Sequence, residues 1–315
     1  MRARAQAPVV ALLSAALALA GCGGAPARDP GAGAAFDAAT DQTAGPAWEA
    51  PDEVRSFAYS GEAAQAANGA TVDASHAAQG VVFATAGGDM RHKLQVLCGD
   101  GSYNYDIPAD GSPVACPVNM GDGSYTFRVM RNVEGSSYVE VLAVPLDVAL
   151  ADERAPYLAP NVFCDYAPES AVVARAKEIC GECENEGDVV RAVYTWVCEN
   201  VTYDDAKAAE LASGSGYVPD PDATLAQGSG ICLDYSALAG AMLRSLGIPC
   251  RVITGYVEPN DLYHAWNAVL IDGEWHGVQV SVEPGTWSRI DTTFGAAGAQ
   301  ATVGEGTGYR DRYIY

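Results

Sequence analysis

The spacing of apolar and polar residues divides this chain of 315 residues into regions of different structure. Between about residues 80 and 150, short β-branched and aromatic runs lie about ten residues apart, with Asp-Gly and Gly-Ser turns between them. This pattern predicts a small antiparallel β domain. The predicted strands are 81–83, 93–97, 124–129 and 138–142.

From Ser170 onward, apolar residues recur every three or four positions, which is typical of amphipathic helices. The predicted helices are 171–180, 188–201 with Asp188 as N-cap, and 232–246. A Gly/Ser/Pro-rich loop is predicted over 212–230. Strands are predicted at 251–255, 265–271 and 274–280, the last two joined by a turn at Asp272-Gly273. Helices followed by an antiparallel sheet predict the α+β class.

The first residues are typical of an export signal rather than of a folded core. Arg2 and Arg4 precede an apolar stretch over 9–20, and this stretch is too short to span a membrane comfortably as a permanent helix. Leu-Ala-Gly-Cys at 19–22 resembles a bacterial lipobox, which implies cleavage after residue 21 and lipidation of Cys22. An ordinary cleaved signal with a chance cysteine is the alternative.

These patterns together predict four segments. Under either interpretation of residues 1–21, the mature protein lies outside the cytoplasm. The lipobox interpretation also anchors it on the extracytoplasmic face of the cell membrane. The segments are a signal peptide (1–21), a lipidated flexible tether (22–79), a small β-sandwich-like domain (80–160) and a catalytic domain (161–315).

The charge of the chain limits the classes of partner. A formal net charge of −22 repels phosphate backbones, so nucleic acid is excluded as a partner. Attraction to anionic lipid headgroups is disfavoured for the same reason, which leaves the lipid on Cys22 as the means of membrane attachment. Cationic or neutral partners fit this surface, although a solvated acidic surface needs no partner.

Nine cysteines in an exported chain favour disulfides. Cys98 and Cys116 flank a hairpin-like stretch and form the first predicted pair. Antiparallel helices would bring Cys198 toward Cys164, a second predicted pair. Cys180-Gly-Glu-Cys183 is open to interpretation as a zinc half-site, a redox pair, a structural disulfide or idle thiols. Without a second half at zinc-finger spacing, no metal site is expected there.

Cys232 has the sequence context of a nucleophile. It follows Gly-Ser-Gly at 228–230 and opens a predicted helix, whose first N–H groups carry partial positive charge. Such a position favours the thiolate and offers donors to the oxyanion of a tetrahedral intermediate. The alternative is a buried apolar cysteine at the start of a core helix.

A histidine and an aspartate follow on predicted strands. His264 begins one strand, and Asp291 offers a carboxylate to orient its imidazole one strand later. Asp272 is better explained as a turn residue, and Asp261 lies on the loop before His264. Three other histidines lack a matching context: His76, His92 and His276.

Several motifs together resemble the bacterial transglutaminase-like superfamily, which has a papain-like core. They are Gly-Ile-Cys-Leu-Asp-Tyr-Ser at 230–236, Gly-Ile-Pro-Cys-Arg-Val-Ile-Thr-Gly-Tyr at 247–256, His-Ala-Trp-Asn at 264–267 and Ile-Asp-Thr-Thr-Phe at 290–294. The likeness covers about residues 165–295. Thr292 departs from the proline that the family often has after its aspartate.

The resemblance implies a triad of Cys232 as nucleophile, His264 as general base and acid, and Asp291 as the residue that orients the imidazole. Gln227 is the candidate for a second oxyanion donor. No cofactor is implied. The expected substrate is a peptide or protein, with cell-wall peptide among the candidates, and the expected reaction is hydrolysis of an amide bond through an acyl-thioester.

Three other functions remain open at this point. Transfer of the acyl group to an amine would make the protein a cross-linking transamidase. Loss of turnover would make it a surface binding module that uses the same cleft. A calcium-dependent enzyme of the animal kind is disfavoured, because the sequence contains no Asp-x-Asp-x-Asp-Gly loop.

Overall fold

A computed structural model describes residues 45–212, 216–257, 262–271, 286–290 and 309–315. Contacts divide the chain into two compact units, Met1–Ala35 and Phe36–Tyr315, and all described residues belong to the second unit. Within the described ranges, no helix is both long and apolar enough to cross a membrane. The predicted signal peptide and Cys22 lie outside the described residues.

Two antiparallel sheets form the N-terminal part of the described chain. The first has the order β1-β2-β3-β6, and the second has the order β5-β4-β7-β8. The first consists of β1 (Gln65–Ala67), β2 (Ala70–Asp73), β3 (Val81–Ala86) and β6 (Val114–Pro117). The second consists of β4 (His92–Cys98), β5 (Gly101–Ile107), β7 (Gly123–Glu134) and β8 (Ser137–Val148).

Alternation of apolar residues explains these strands. Leu94 and Val96 on β4 are fully buried, while Gln95 between them is only half-buried. On the neighbouring β7, Phe127 pairs with Val96 and Val129 pairs with Leu94, so each buried side chain faces another across the ladder. The prediction of antiparallel strands in this region is confirmed, with β7 and β8 longer than expected.

The folded part begins earlier than the predicted tether allowed. Strands β1 and β2 lie within the 22–79 segment, and Ala70 and Val72 are buried. The indole of Trp48 also donates a hydrogen bond to the carbonyl of Leu246, at 3.0 Å. The expectation of a flexible tether is therefore wrong for residues 45–79. Small alanine side chains give a weak periodic signal even where the backbone is paired.

Five helices and two short strands follow in the described residues. Helix α1 spans Ala171–Ile179 and α2 spans Glu186–Asn200, close to the predicted bounds. Asn185, not Asp188, caps α2, because its side chain accepts from the Asp188 N–H. The other elements are β9 (Thr202–Tyr203), α3 (Asp205–Leu211), α4 (Pro221–Gln227), β10 (Ser229–Gly230) and α5 (Cys232–Ser245).

Helix α4 lies inside the segment that was expected to be a loop over 212–230. Asp220 caps it by accepting from the Ala223 N–H at 2.9 Å, and Pro221 occupies its first position. Asp-Pro is a common helix start as well as a turn signal, so the sequence alone allowed both interpretations. The prediction of a continuous loop is wrong for 221–227.

A four-stranded antiparallel sheet completes the core, in the order β13-β12-β11-β14. Its strands are β11 (Cys250–Val257), β12 (Leu262–Ile271), β13 (Thr286–Ile290) and β14 (Tyr309–Ile314). Helix α5 packs on β11 and β12. The α+β class, with the cysteine-bearing helix on an antiparallel sheet after an N-terminal β region, is confirmed. The strand predicted at 274–280 and the turn at Asp272-Gly273 lie outside the described residues.

The two predicted disulfides are not formed in this structure. Cys98 and Cys116 carry free thiols; Cys98 ends β4 and Cys116 lies on β6, a strand of the other sheet. Cys164 also carries a free thiol and packs against Gly240 of α5 rather than bridging to Cys198. Spacing along the sequence did not determine which sheet each cysteine joins.

Candidate active site

Two glycines bring the chain into the cysteine position. Gly228 ends α4 with a φ of +63°, a left-handed conformation that favours glycine. Gly230 lies so close to Asp234 that a Cβ there would be 2.6 Å from the Asp234 Cβ. Between them, β10 pairs in parallel with β9. Cys232 is then the first residue of α5 and is half-buried.

Asp234 fixes the start of this helix. Its carboxylate accepts a hydrogen bond from the N–H of Ile231, the N-cap residue, at 2.8 Å. An acidic side chain three residues after the N-cap is the half of a capping box that satisfies an N-terminal backbone donor. One side chain of its own helix therefore holds the backbone directly before Cys232.

The Asp234 carboxylate is completely buried and has two further partners. Lys207 Nζ lies 2.7 Å from one oxygen, and the Tyr217 hydroxyl donates to the other at 2.5 Å. Lys207 also lies 4.7 Å from the centre of the Tyr217 ring. A buried carboxylate requires such a counter-charge, so this cluster neutralises a negative charge two residues from Cys232.

The pKa values in the cluster follow from these contacts. Burial alone would lower the pKa of Lys207, but its hydrogen bonds to Asp234 and Tyr217 outweigh that effect, and the pKa is raised. Burial, together with the hydrogen bond to Asp234, raises the pKa of Tyr217. Lys207 is therefore charged and Tyr217 is protonated over the neutral range.

Sequence reasoning missed this cluster. Asp234 had a detectable signal, because an acidic residue at the third helical position is typical of a capping box. Lys207 and Tyr217 had none, because they lie 27 and 17 residues away along the chain. Only the folded backbone shows that these two side chains meet the helix start.

Contacts along α5 define its direction over the sheet. Asn267 Nδ2 on β12 donates to the Ser236 carbonyl at 2.9 Å, and farther along the helix Arg244 Nε donates to the Cys250 carbonyl at 2.8 Å. Cys250 pairs with Val269, two residues beyond Asn267. Helix α5 and β12 therefore run in the same direction, and the start of the helix lies toward the start of β12.

His264 lies near that start of β12. It is 4% exposed and pairs with Gly255 of β11 across the ladder. Its ring is stacked beside Trp266, with 6.4 Å between centroids. Side chains alternate along a strand, so His264 and Trp266 share one face of the sheet, and Asn267, which contacts α5, lies on the other. Cys232 and His264 thus lie at the same end of the helix–sheet pair.

The other predicted site residues have different positions. Gln227 is exposed at the last position of α4, five residues before Cys232. Asp291 lies outside the described residues, directly after Ile290 of β13, which pairs with Asn267. The competing residues Asp261, Asp272 and His276 also lie outside. The other histidines belong to the N-terminal part: His92 on β4, and His76 beside Phe57 and Phe83.

Two core thiols contrast with the half-buried Cys232. Burial raises the pKa of Cys164 to about 11 and that of Cys250 to about 12, so both are neutral, inaccessible thiols. A hydrogen bond shared with Cys180 lowers the pKa of half-buried Cys183. Cys183 lies between α1 and α2. Within the described residues, no group of three or more metal-binding side chains is assembled.

The sequence of this region matches a known family. Residues 173–291 match the family model of the transglutaminase-like superfamily. Over 128 residues the chain is 29% identical to the kyphoscoliosis peptidase of Mus musculus, covering 37% of this chain and 18% of that protein. The Homo sapiens protein is 28% identical over 127 residues, covering 37% and 19%. The match thus spans about a fifth of the length of these relatives.

Solved structures resemble the chain more distantly. A candidate cysteine protease from Cytophaga hutchinsonii superposes with a TM-score of 0.40 at 16% identity, covering 72% of this chain and 70% of that one. A structure named as a TGase gives 0.29 at 23% identity, covering 39% and 29%. Red sea bream transglutaminase gives 0.27 at 14% identity, covering 74% and 50%.

Proposed function

Because residues 173–291 carry a transglutaminase-like domain of the cysteine peptidase and transglutaminase type, we propose that this protein is a cysteine enzyme acting on amide bonds. Its triad is Cys232, His264 and Asp291. The observation that carries the proposal is the half-buried Cys232 at the first position of α5, at the same end of the sheet as His264. Two other thiols of this region, those of Cys164 and Cys250, are sealed from solvent.

The proposed reaction has two halves. The Cys232 sulfur attacks the amide carbonyl carbon as His264 takes the thiol proton, and the oxyanion is held by N–H groups at the start of α5. The C–N bond then breaks, His264 returns the proton to the leaving amine, and an acyl-thioester remains. Water, deprotonated by His264, releases the acid and restores the thiol. Asp291 orients the imidazole throughout.

Hydrolysis is the favoured outcome, with transfer to an amine as the alternative. The two curated relatives are named as peptidases, and one solved structure is named as a TGase. The two reactions share the acyl-thioester and differ only in whether water or an amine attacks it. We propose a peptidase or amidase that acts on a peptide or protein, with cell-wall peptide as one candidate substrate.

One observation favours a second candidate, a binding module without turnover. His264 shares a sheet face with Trp266, whereas α5 packs on the opposite face. In such a module the imidazole would serve the packing of the sheet, and Cys232 would be an ordinary thiol. The two candidates differ in the reactivity of Cys232, which is directly measurable.

We also propose that the enzyme is anchored on the extracytoplasmic face of the membrane through a lipid on Cys22. The Leu-Ala-Gly-Cys motif at 19–22 supports this proposal. Growth with an alkyne-tagged palmitate should label the wild-type protein, and Cys22→Ser should abolish the label. Equal labelling of both proteins would overturn the anchor and leave the catalytic proposal standing.

Turnover is tested with casein and glutamine-containing peptides as substrates, analysed by mass spectrometry. Cleaved peptides indicate a peptidase, a gain of about 1 Da per glutamine indicates an amidase, and incorporation of added dansylcadaverine indicates transamidation. Cys232→Ala should abolish all products while the circular dichroism spectrum stays unchanged. Cys183→Ala is the matched control and should retain them. Products that persist in the Cys232 variant would reject the mechanism.

A further inference from the structure

Two cysteines lie at the ends of the turn that joins α1 to α2. Cys180 is the C-cap of α1, and Cys183 lies two residues before Asn185, the N-cap of α2. The Cys183 N–H donates to the Cys180 carbonyl at 3.0 Å, which closes a four-residue turn. The Cα atoms at the ends of such a turn are within about 7 Å of each other, and disulfide-bonded cysteines have Cα separations of about 4.4–6.8 Å. The backbone therefore already holds the pair near disulfide distance.

The chain on both sides of this turn is held by hydrogen bonds. Before the turn, the Cys180 N–H donates to the Ala176 carbonyl of α1 at 3.2 Å. After the turn, the Trp48 N–H donates to the Glu184 carbonyl at 2.9 Å. Because the turn is fixed at both ends, a bond between its two sulfurs costs little conformational entropy.

The two thiols differ in exposure and in protonation. The Cys180 side chain is completely buried, and its sulfur lies 4.0 Å from the Val189 carbonyl of α2. The Cys183 side chain is half-buried, between the exposed residues Glu182 and Glu184. The hydrogen bond between the two thiols lowers the pKa of Cys183 and, together with burial, raises that of Cys180. Cys183 is thus the accessible thiol that favours the thiolate, with an inaccessible thiol beside it.

Two charged residues of α2 act on Cys183 in opposite directions. Asp188 raises the pKa of Cys183 and Arg191 lowers it, and these two side chains lie 3.7 Å apart. Their influences partly cancel, and the hydrogen bond from Cys180 is the larger one. The thiolate character of Cys183 therefore depends mainly on its neighbouring thiol.

The surroundings of Cys183 restrict the class of molecule that can react with it. Glu182 and Glu184 flank it, on a chain of formal net charge −22, so anionic reagents are repelled. Because its sulfur is only half-exposed, a small molecule reaches it more readily than a folded protein does. The reagent that suits a thiolate next to a second thiol is a disulfide.

We propose that Cys183 and Cys180 form a thiol–disulfide exchange site for small disulfides without negative charge, separate from the amide chemistry of Cys232. The Cys183 thiolate attacks one sulfur of the disulfide, the S–S bond breaks, and the leaving thiolate takes a proton from water. Cys180 then loses its proton to water, its sulfur attacks that of Cys183, and the second thiolate leaves. The pair is oxidised by two electrons, and the small disulfide is reduced to two thiols.

The test mixes the intact, freshly reduced protein with hydroxyethyl disulfide under argon, and mass spectrometry follows tryptic peptide 178–191, which carries both cysteines. The wild-type peptide should lose about 2 Da, the mass of two hydrogens, and keep no adduct. Cys180→Ala should instead keep an adduct of about 76 Da on Cys183. Cys183→Ala should react about tenfold more slowly, because Cys180 is buried.

Two results with the wild-type protein would overturn the site. A lasting adduct on Cys183 would show that Cys180 does not displace it, and an unreacted peptide would show that Cys183 does not attack disulfides. Neither result depends on a variant that has to fold. Cys232→Ala should form the disulfide between Cys180 and Cys183 at the wild-type rate, so the exchange site and the proposed function can fail independently.

Glu182→Gln/Glu184→Gln tests the class of disulfide. Removal of the two carboxylates should speed the reaction with oxidised glutathione, which is anionic, by about threefold, as expected for exposed charges. The rate with uncharged hydroxyethyl disulfide should stay the same. An equal change with both reagents, or no change with either, would overturn the assigned preference.

Discussion

The two ends of α5 each hold one buried charge, and the charges are held in different ways. At the start, the Asp234 carboxylate is held by Lys207 and Tyr217, two side chains from a distant segment. At the end, the Arg244 guanidinium, 1% exposed, donates to three backbone carbonyls, with N···O distances of 2.7–2.8 Å. Those carbonyls belong to Cys250, Ala159 and Tyr315.

The difference separates a structural role from a role in the site. The Arg244 contacts join the helix to β11, to residue 159 and to residue 315, so this end fastens several parts of the core together. At the start of α5, by contrast, the charge of the Asp234 carboxylate is neutralised by a side chain, that of Lys207, and no backbone carbonyl is involved. Changes at the end of α5 should therefore alter stability, and changes at its start should alter the chemistry of the thiol.

The largest effect is expected from Arg244→Met. The substitution leaves buried carbonyl groups without their donor, and we expect it to lower the free energy of unfolding by about 3–5 kcal/mol. Urea denaturation followed by circular dichroism measures the change. Arg175→Met, an exposed arginine paired with Glu178, is the matched control and should cost less than about 1 kcal/mol. Equal losses would show that the end of α5 has no special structural role.

Compared with Arg244→Met, Lys207→Met should lower stability less and change the reactivity of Cys232 more. An uncompensated Asp234 carboxylate two residues away disfavours the thiolate, so alkylation of Cys232 should require higher pH, with about 1–2 kcal/mol lost in unfolding. Iodoacetamide rates from pH 5 to 9 measure the shift. Lys207→Met/Asp234→Asn should recover part of it. A rate profile unchanged in Lys207→Met would contradict the neutralising role.

The stabilisation that the ion pair between Lys207 and Asp234 contributes should also decrease at alkaline pH. The pKa of Lys207 is raised in the folded state, so the stabilisation is present at neutral pH and is lost as the pH rises through the raised value. The difference in unfolding free energy between wild type and Lys207→Met should therefore narrow in alkaline solution. A difference that widens there would contradict the assignment.

The smallest effect is expected at Asp165, whose carboxylate lies near two other acidic residues. Desolvation of its carboxylate, followed by the charges of Asp220 and Asp222, raises the pKa of Asp165, although part of this residue stays exposed to solvent. The folded state therefore binds a proton more readily, and the ionised form lowers stability above that pKa. Asp165→Asn should raise the melting temperature slightly at pH 7 and leave it unchanged at pH 3. The exposed control Glu62→Gln should change neither, and a loss of stability at pH 7 would contradict the direction.

Local pattern was sufficient for much of the fold. Apolar periodicity predicted α1 and α2, and alternation predicted β4, β7 and β8, because each buries mainly one face. Apolar runs bounded by turn residues predicted β3 and α5, which are buried on nearly all sides. The local pattern missed β1 and β2, where alanine side chains add little contrast, and α4, whose Asp-Pro start is also a turn signal. Non-local contacts were not accessible from the sequence, which is why the disulfide predictions failed.

For the site, the sequence placed Cys232 at the first position of a helix, as the structure confirms. It could not place Lys207 or Tyr217, because these meet the helix start only after distant segments pack. The roles of His264, Asp291 and Gln227 stay predictions. Each rests on the order of motifs along the chain, whereas the Asp234 cluster rests on contacts between side chains in the folded chain.

The central claim is that Cys232 is a nucleophile, and its alkylation by iodoacetamide against pH tests the claim most directly. Mass spectrometry distinguishes Cys232 from Cys183, and His264→Ala is the companion variant. We expect rapid labelling of Cys232 that persists below about pH 6 and is lost in the variant, as for a thiolate–imidazolium pair. Labelling that rises only near the free-thiol value of about 8.5, equally in both proteins, would contradict the account and favour the binding module.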